Sequence, residues 1–184
     1  MNKIWLLLFI LVIFSSCSRK TEEQLYTEAQ GAETAKNFTQ AIACDSEIVA
    51  RFPAGKHAEE SQYRLALLYN NELHDIPRAL AAYQLFYKQF PNSPNAPSAL
   101  FLTGFLLNNE LHNIDSAKIA YQAFLQQYPT NELAHSAQFE LDNLGKDPTA
   151  VFHNDILTKA AEKDSIEALS QKKPAKKMAK KAAK

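Results

Sequence analysis

Two histidines and two carboxylates recur in step. Glu72 and His74 stand in "NNELHDI", residues 70–76, and Glu110 and His112 in "NNELHNI", residues 108–114. Imidazole and carboxylate are ligands for zinc and partners in acid–base chemistry, so the doubled phrase is the first place to look for a site. Few other residues compete with it. The four glycines, at 31, 55, 104 and 145, are scattered and form no phosphate-cradling loop. The chain has no G-x-S-x-G, H-E-x-x-H or C-x-x-C. Glu59 and Glu60 are adjacent, and neighbours on a helix point in different directions.

The elements that carry the phrase explain it without chemistry. The same 38-residue step aligns Phe38, Ile76 and Ile114; Ala41, Ala79 and Ala117; and Asp45, Tyr83 and Tyr121. It also aligns Ile48, Phe86 and Phe124, then Ala58, Ala96 and Ala134, and sets Leu25 against Tyr63 and Phe101. "RFP", "QFP" and "QYP" fall in register at 51–53, 89–91 and 127–129, and proline after an aromatic marks the end of a helix. A period of this length is the signature of a stacked solenoid. Within a unit the apolar spacing is helical twice, in "EESQYRLALLYNNE" and in "PRALAAYQLFYKQF". The phrase is then the end of one helix, a turn, and the start of the next, with Asp75 and Asn113 as N-caps and Ile76 and Ile114 packing the corner. Equivalent points on stacked units lie roughly 10–20 Å apart, given helix spacings of about 8–10 Å. That is too far for His74 and His112 to share a metal. No metal, no catalytic residue and no cofactor beyond a covalent lipid is expected, and the chain does not read as an enzyme.

The start of the chain gives its address. Lys3 precedes an unbroken apolar run from Ile4 to Phe14. As a helix that run covers only about 16 Å, against a bilayer core of about 30 Å, so it suits a secretory signal and not a span. It ends in Phe14-Ser15-Ser16-Cys17, which resembles the lipobox of bacterial lipoproteins. The resemblance implies cleavage before Cys17 and acylation of that cysteine. With Ser18 and not Asp next in line, it implies sorting to the outer membrane. Cys44 is then left without a partner, and a lone cysteine on a helix behaves as a small buried apolar residue. Charge is distributed unevenly. Residues 18–171 hold twelve Lys and Arg against twenty Asp and Glu, while "KKPAKKMAKKAAK", 172–184, holds seven lysines and no acid. A basic segment on an acidic body points to a role of its own.

The aromatic-proline ends, the spacing Ala79…Tyr83 and Ala117…Tyr121, and Gly104 four residues after Leu100 resemble tetratricopeptide repeats. The unit lengthened by "PNSPNAPSA" is similar to the repeats of outer-membrane barrel-assembly lipoproteins and periplasmic envelope coordinators. The expected fold is all-α: a tetratricopeptide-like helix-pair solenoid of about three 38-residue repeats plus a closing helix. The organisation follows as signal peptide 1–16, lipidated linker 17–21, solenoid 22–145 with Gly145 as a helix stop, a further helix over 146–170, and a lysine-rich segment 171–184 too poor in apolar residues to fold. In the further helix, Val151, Phe152, Ile156 and Leu157 are expected to pack on the last repeat.

By that resemblance the first helix of each pair lines a concave groove. Tyr63, Leu67, Asn70 and Asn71 face it from one unit, and Phe101, Phe105, Asn108 and Asn109 from the next. Asn side chains both donate to and accept from a peptide backbone, and aromatic rings anchor partners. The implied function is a protein- or peptide-binding scaffold of the cell envelope, an outer-membrane lipoprotein facing the periplasm and accessory to outer-membrane protein assembly. The competing reading is a structural tether or cell-wall and division coordinator whose lysines reach anionic lipid or cell wall. Nucleic acid is not an expected partner of an exported protein.

Overall fold

The computed structural model describes residues 19–146, with Lys159 and Lys163. Cys17, the apolar leader and the lysine-rich segment lie outside those residues, as does most of the stretch expected to form a helix over 146–170. Among the described residues there are seven α-helices: α1 (Glu22–Thr34), α2 (Phe38–Arg51), α3 (Ala58–Leu67), α4 (Ile76–Gln89), α5 (Ala96–Phe105), α6 (Ile114–Gln127) and α7 (Ala134–Asp142). Each packs chiefly on the helix next in sequence. The array is therefore α1–α2, α3–α4 and α5–α6, closed by α7, the solenoid the 38-residue period implies. None of these helices is long and apolar enough to cross a membrane.

The second helix of each pair is built identically. α2, α4 and α6 have 14 residues each. Asn37, Asp75 and Asn113 cap them by accepting from the backbone N–H of Gln40, Arg78 and Ser116 at 3.1–3.2 Å. Each cap satisfies a donor that the first turn leaves open. At the far end Phe52, Phe90 and Tyr128 take ψ of 52–57°. Pro53, Pro91 and Pro129 disfavour the helical region for the residue before them, so all three helices stop at the same place.

The doubled phrase has a backbone explanation. α3 and α5 each end in one π-helical turn, Leu68–Glu72 and Leu106–Glu110. His74 and His112 follow in the left-handed region, both at φ 50°. The Asp75 N–H then reaches back to the Tyr69 carbonyl at 2.8 Å, and the Asn113 N–H to the Leu107 carbonyl at 2.7 Å. The first pair closes more tightly. There Lys36 is left-handed at φ 57°, and the Asn37 N–H bonds to the Ala32 carbonyl at 2.8 Å, the ordinary Schellman closure. The second and third units thus carry one inserted residue, accommodated as a π turn, that the first unit lacks.

This corrects one alignment. Upstream of the insertion the first unit runs at a 37-residue offset, so Tyr26, and not Leu25, is the counterpart of Tyr63 and Phe101. Burial agrees. Leu25, Gln62 and Leu100 are buried, and so are Ala29, Ala66 and Gly104, while Tyr26, Tyr63 and Phe101 are half-buried. The loops agree as well: Glu22 accepts from the His57 N–H, and Glu59 from the Ser93 hydroxyl.

The core runs through the pairs as repeated clusters. Tyr83 and Phe86 pack with Ala66, Ala79 and Leu106. Tyr121 and Phe124 pack with Leu100, Leu107, Ala117 and Ala137. All four rings are fully buried; each Phe contributes roughly 1.5–3 kcal/mol, while Tyr83 and Tyr121 contribute less, because their hydroxyls are buried without a hydrogen-bond partner among the described residues. Gly104 has a steric reason, because a Cβ there would stand 2.9 Å from the Tyr121 ring. α7 ends before Gly145, whose φ of 71° turns the chain against Ile114.

Candidate binding groove

Among the described residues, two hollows lie along the first helices of adjacent pairs. One, of about 520 Å³, lies between α1 and α3 and is lined by Gln30, Glu33, Thr34, Glu60, Tyr63, Arg64 and Leu67. The other, of about 550 Å³, lies between the end of α3 and α5. Asn70, Asn71, His74, Ile76, Leu102, Phe105, Leu106 and Glu110 line it. The sequence-expected groove residues are thus divided. Tyr63 and Leu67 belong to the first hollow, and Asn70, Asn71 and Phe105 to the second. Phe101, Asn108 and Asn109 line neither.

The aromatic residues serve the core as well as the surface. Tyr63 is half-buried, with its ring 4.9 Å from Phe86 and edge-on to Tyr83 at 6.2 Å. Burial raises its hydroxyl pKa above the ordinary value. Phe101 packs at 5.8 Å from Tyr121 and 6.0 Å from Phe124, and stacks with Phe105 at 6.5 Å. The two Asn pairs, identical in sequence, differ in what they leave free. Asn70 Nδ2 donates to Asn71 Oδ1 at 2.8 Å. The Asn70 carbonyl oxygen and the Asn71 amide then have no other partner among the described residues. Asn109 Nδ2, in contrast, donates to the Phe105 carbonyl at 3.2 Å, which turns the second pair onto its own helix.

The floor of the α1–α3 hollow is an ion cluster that the sequence did not reveal. Asp45 occupies the slot that Tyr83 and Tyr121 fill in later units, and it is fully buried. Arg64 on α3 answers it with two bonds, Nε–Oδ2 at 2.8 Å and Nη2–Oδ1 at 2.6 Å. Burial opposes the guanidinium's charge, but the Asp45 bonds and the nearby carboxylates override it, and its pKa is raised. Glu33 lies 3.8 Å and Glu60 3.7 Å from the same guanidinium, which also sits over the Tyr26 ring. Tyr26 donates to Glu60 at 2.6 Å and stacks on His57 at 3.7 Å. Asp45 was visible as a break in the tyrosine column, but its partner is 19 residues away in the next unit, and no local spacing points to it.

Among the described residues no group of three or more His, Cys, Asp or Glu is placed to hold a metal. His74 and His112 serve as left-handed turn residues. Cys44 is a buried free thiol whose pKa is raised by burial.

Stacked helix pairs with hollows along their first helices define a tetratricopeptide-type array. Residues 18–150 match the family of the outer membrane lipoprotein YfiO, and the chain belongs to that family. The match begins at the residue after Cys17 and places the protein, as a lipoprotein, at the outer membrane. No curated protein matches the chain.

Proposed function

We propose that this protein is a non-catalytic scaffold, anchored through acylated Cys17 and facing the periplasm. Its row of first helices holds an extended segment of an envelope protein as an accessory to outer-membrane protein assembly. The observation that carries this reading is the pair of hollows following one another along α1, α3 and α5. Each combines apolar wall with polar groups, as peptide grooves do. Leu67, Tyr63, Leu102 and Phe105 offer apolar footing. Asn70 and Asn71 offer one free acceptor and one free donor side by side, the pair that an extended backbone presents in return.

The test is site-specific photo-crosslinking in intact cells. Probes at Leu67, Asn71 and Phe105 are expected to capture the same partner, and a probe at Ile119, exposed on α6, is expected to capture none. Asn70→Ala with Asn71→Ala should weaken capture about ten-fold, the value of one to two hydrogen bonds. Asn108→Ala with Asn109→Ala should weaken it less, because Asn109 is engaged by its own helix. Equal capture from the Ile119 probe, or no loss in the Asn70/Asn71 variant with circular dichroism unchanged, would overturn the reading.

A further inference from the structure

The α1–α3 hollow holds more negative charge than its own cation can neutralise. Three carboxylates converge on Arg64, and Asp45 alone takes both of its strong bonds. Glu33 and Glu60 are left at 3.7–3.8 Å from the guanidinium, Glu60 also accepting from the Tyr26 hydroxyl, with side chains 45% and 57% exposed. Three carboxylates outnumber the one guanidinium, and the net negative charge left there attracts a further cation. The adjoining wall is Tyr63 and Leu67, apolar surface on which a four-carbon stem can lie while its ammonium reaches the carboxylates.

The chain itself carries the matching chemistry. Residues 172–184, "KKPAKKMAKKAAK", hold seven lysines and no acid, and the lysine pairs recur every four residues. Several registers therefore present an ammonium to one hollow. Reach is sufficient. α7 is four helix steps from α3, at most about 40 Å at spacings of 8–10 Å. Lys159 and Lys163 are helical, and even as one helix residues 147–171 cover about 37 Å, to which the 13 residues of 172–184 add up to about 43 Å when extended.

We propose that the lysine-rich segment 172–184 docks in the hollow between α1 and α3 of its own chain, placing a lysine ammonium between Glu33 and Glu60 with its methylenes on Tyr63 and Leu67. Docked there, the segment occupies one end of the row of first helices and competes with any other occupant. Being electrostatic at an exposed rim, the contact is weakened by salt. Docking does not depend on what else the row binds.

Carbodiimide coupling, which joins a lysine to a carboxylate only where they touch, tests this on the unlipidated chain beginning at Ser18. Isotopically labelled and unlabelled chains are mixed so that coupling within and between copies is distinguished. Coupling of lysines 172–184 to Glu33 and Glu60 within one chain is expected at low salt, with a several-fold loss at high salt. Coupling spread evenly over exposed carboxylates such as Glu72, Glu110 and Glu132, or found only between copies, overturns the proposal. As a second measurement, a fluorescent peptide of residues 172–184 should bind the chain lacking that segment. Its binding should weaken about ten-fold, or roughly 1.4 kcal/mol, in Glu33→Gln/Glu60→Gln. A peptide indifferent to those substitutions, or one that ignores the solenoid and sediments with cell-wall sacculi, overturns it in favour of a tether.

Discussion

His74 and His112 are the residues that most resemble a site and are explained by backbone. An L-residue in the left-handed region costs roughly 1–2 kcal/mol, which only Gly avoids, and a β-branched residue fits worst. His74→Gly is therefore expected to leave stability unchanged or raise it by about 1 kcal/mol, and His74→Ile to lower it by about 2 kcal/mol, read from urea unfolding. If His74 were instead a groove ligand, Gly would cost partner capture at unchanged stability. The Asp45–Arg64 pair is a second residue-scale feature, joining the first unit to the second through two buried bonds. Removing one partner of a buried pair strands the other, at about 3–5 kcal/mol, whereas replacing both with apolar groups is often neutral. Arg64→Met should thus be strongly destabilising, and Asp45→Leu with Arg64→Met should recover most of the loss. A double variant as unstable as the single would show that the site cannot repack around apolar groups.

The repeated helix pair depends on how closely its two members approach. In the third unit Gly104 lets α5 lie against the Tyr121 ring, and an added Cβ would stand 2.9 Å away. In the second unit Ala66 takes the equivalent place beside Tyr83. The same substitution is therefore native in one unit and a clash in the other. Gly104→Ala gains about 1 kcal/mol of helix propensity but overpacks a fully buried ring, at about 1–3 kcal/mol. A net loss near 1 kcal/mol is expected in thermal or urea unfolding. A stabilised Gly104→Ala would mean that α5 and α6 can separate to the spacing α3 and α4 already have. The π turns act at the same scale, since each places an Asn pair at the end of its helix, where Asn70 and Asn71 border the second hollow.

At the scale of the molecule, the helix-pair array was legible because a solenoid repeats its packing, and repeated packing leaves columns such as Ile48, Phe86 and Phe124. The caps Asp75 and Asn113 were legible for the same reason. The hollows were legible only in part: Tyr63, Leu67, Asn70, Asn71 and Phe105 line them, but each joins side chains from neighbouring units that differ, and Glu33, Glu60 and Arg64 have no repeated counterpart. The shorter first unit was missed because a missing residue leaves no mark in a register read from later units. An array of this kind owes its stability to contacts between neighbours, so damage at one end should stay local. Ala137 on α7 is fully buried against the α6 cluster. An Asp there would bury an unpaired carboxylate, a loss of several kcal/mol, and α7 should detach. Native-state hydrogen exchange of Ala137→Asp is then expected to lose protection in α7 and α6, less in α5, and none in α1 and α2. Uniform loss across all seven helices would mean that the array unfolds as one block, and that the two hollows are energetically one surface.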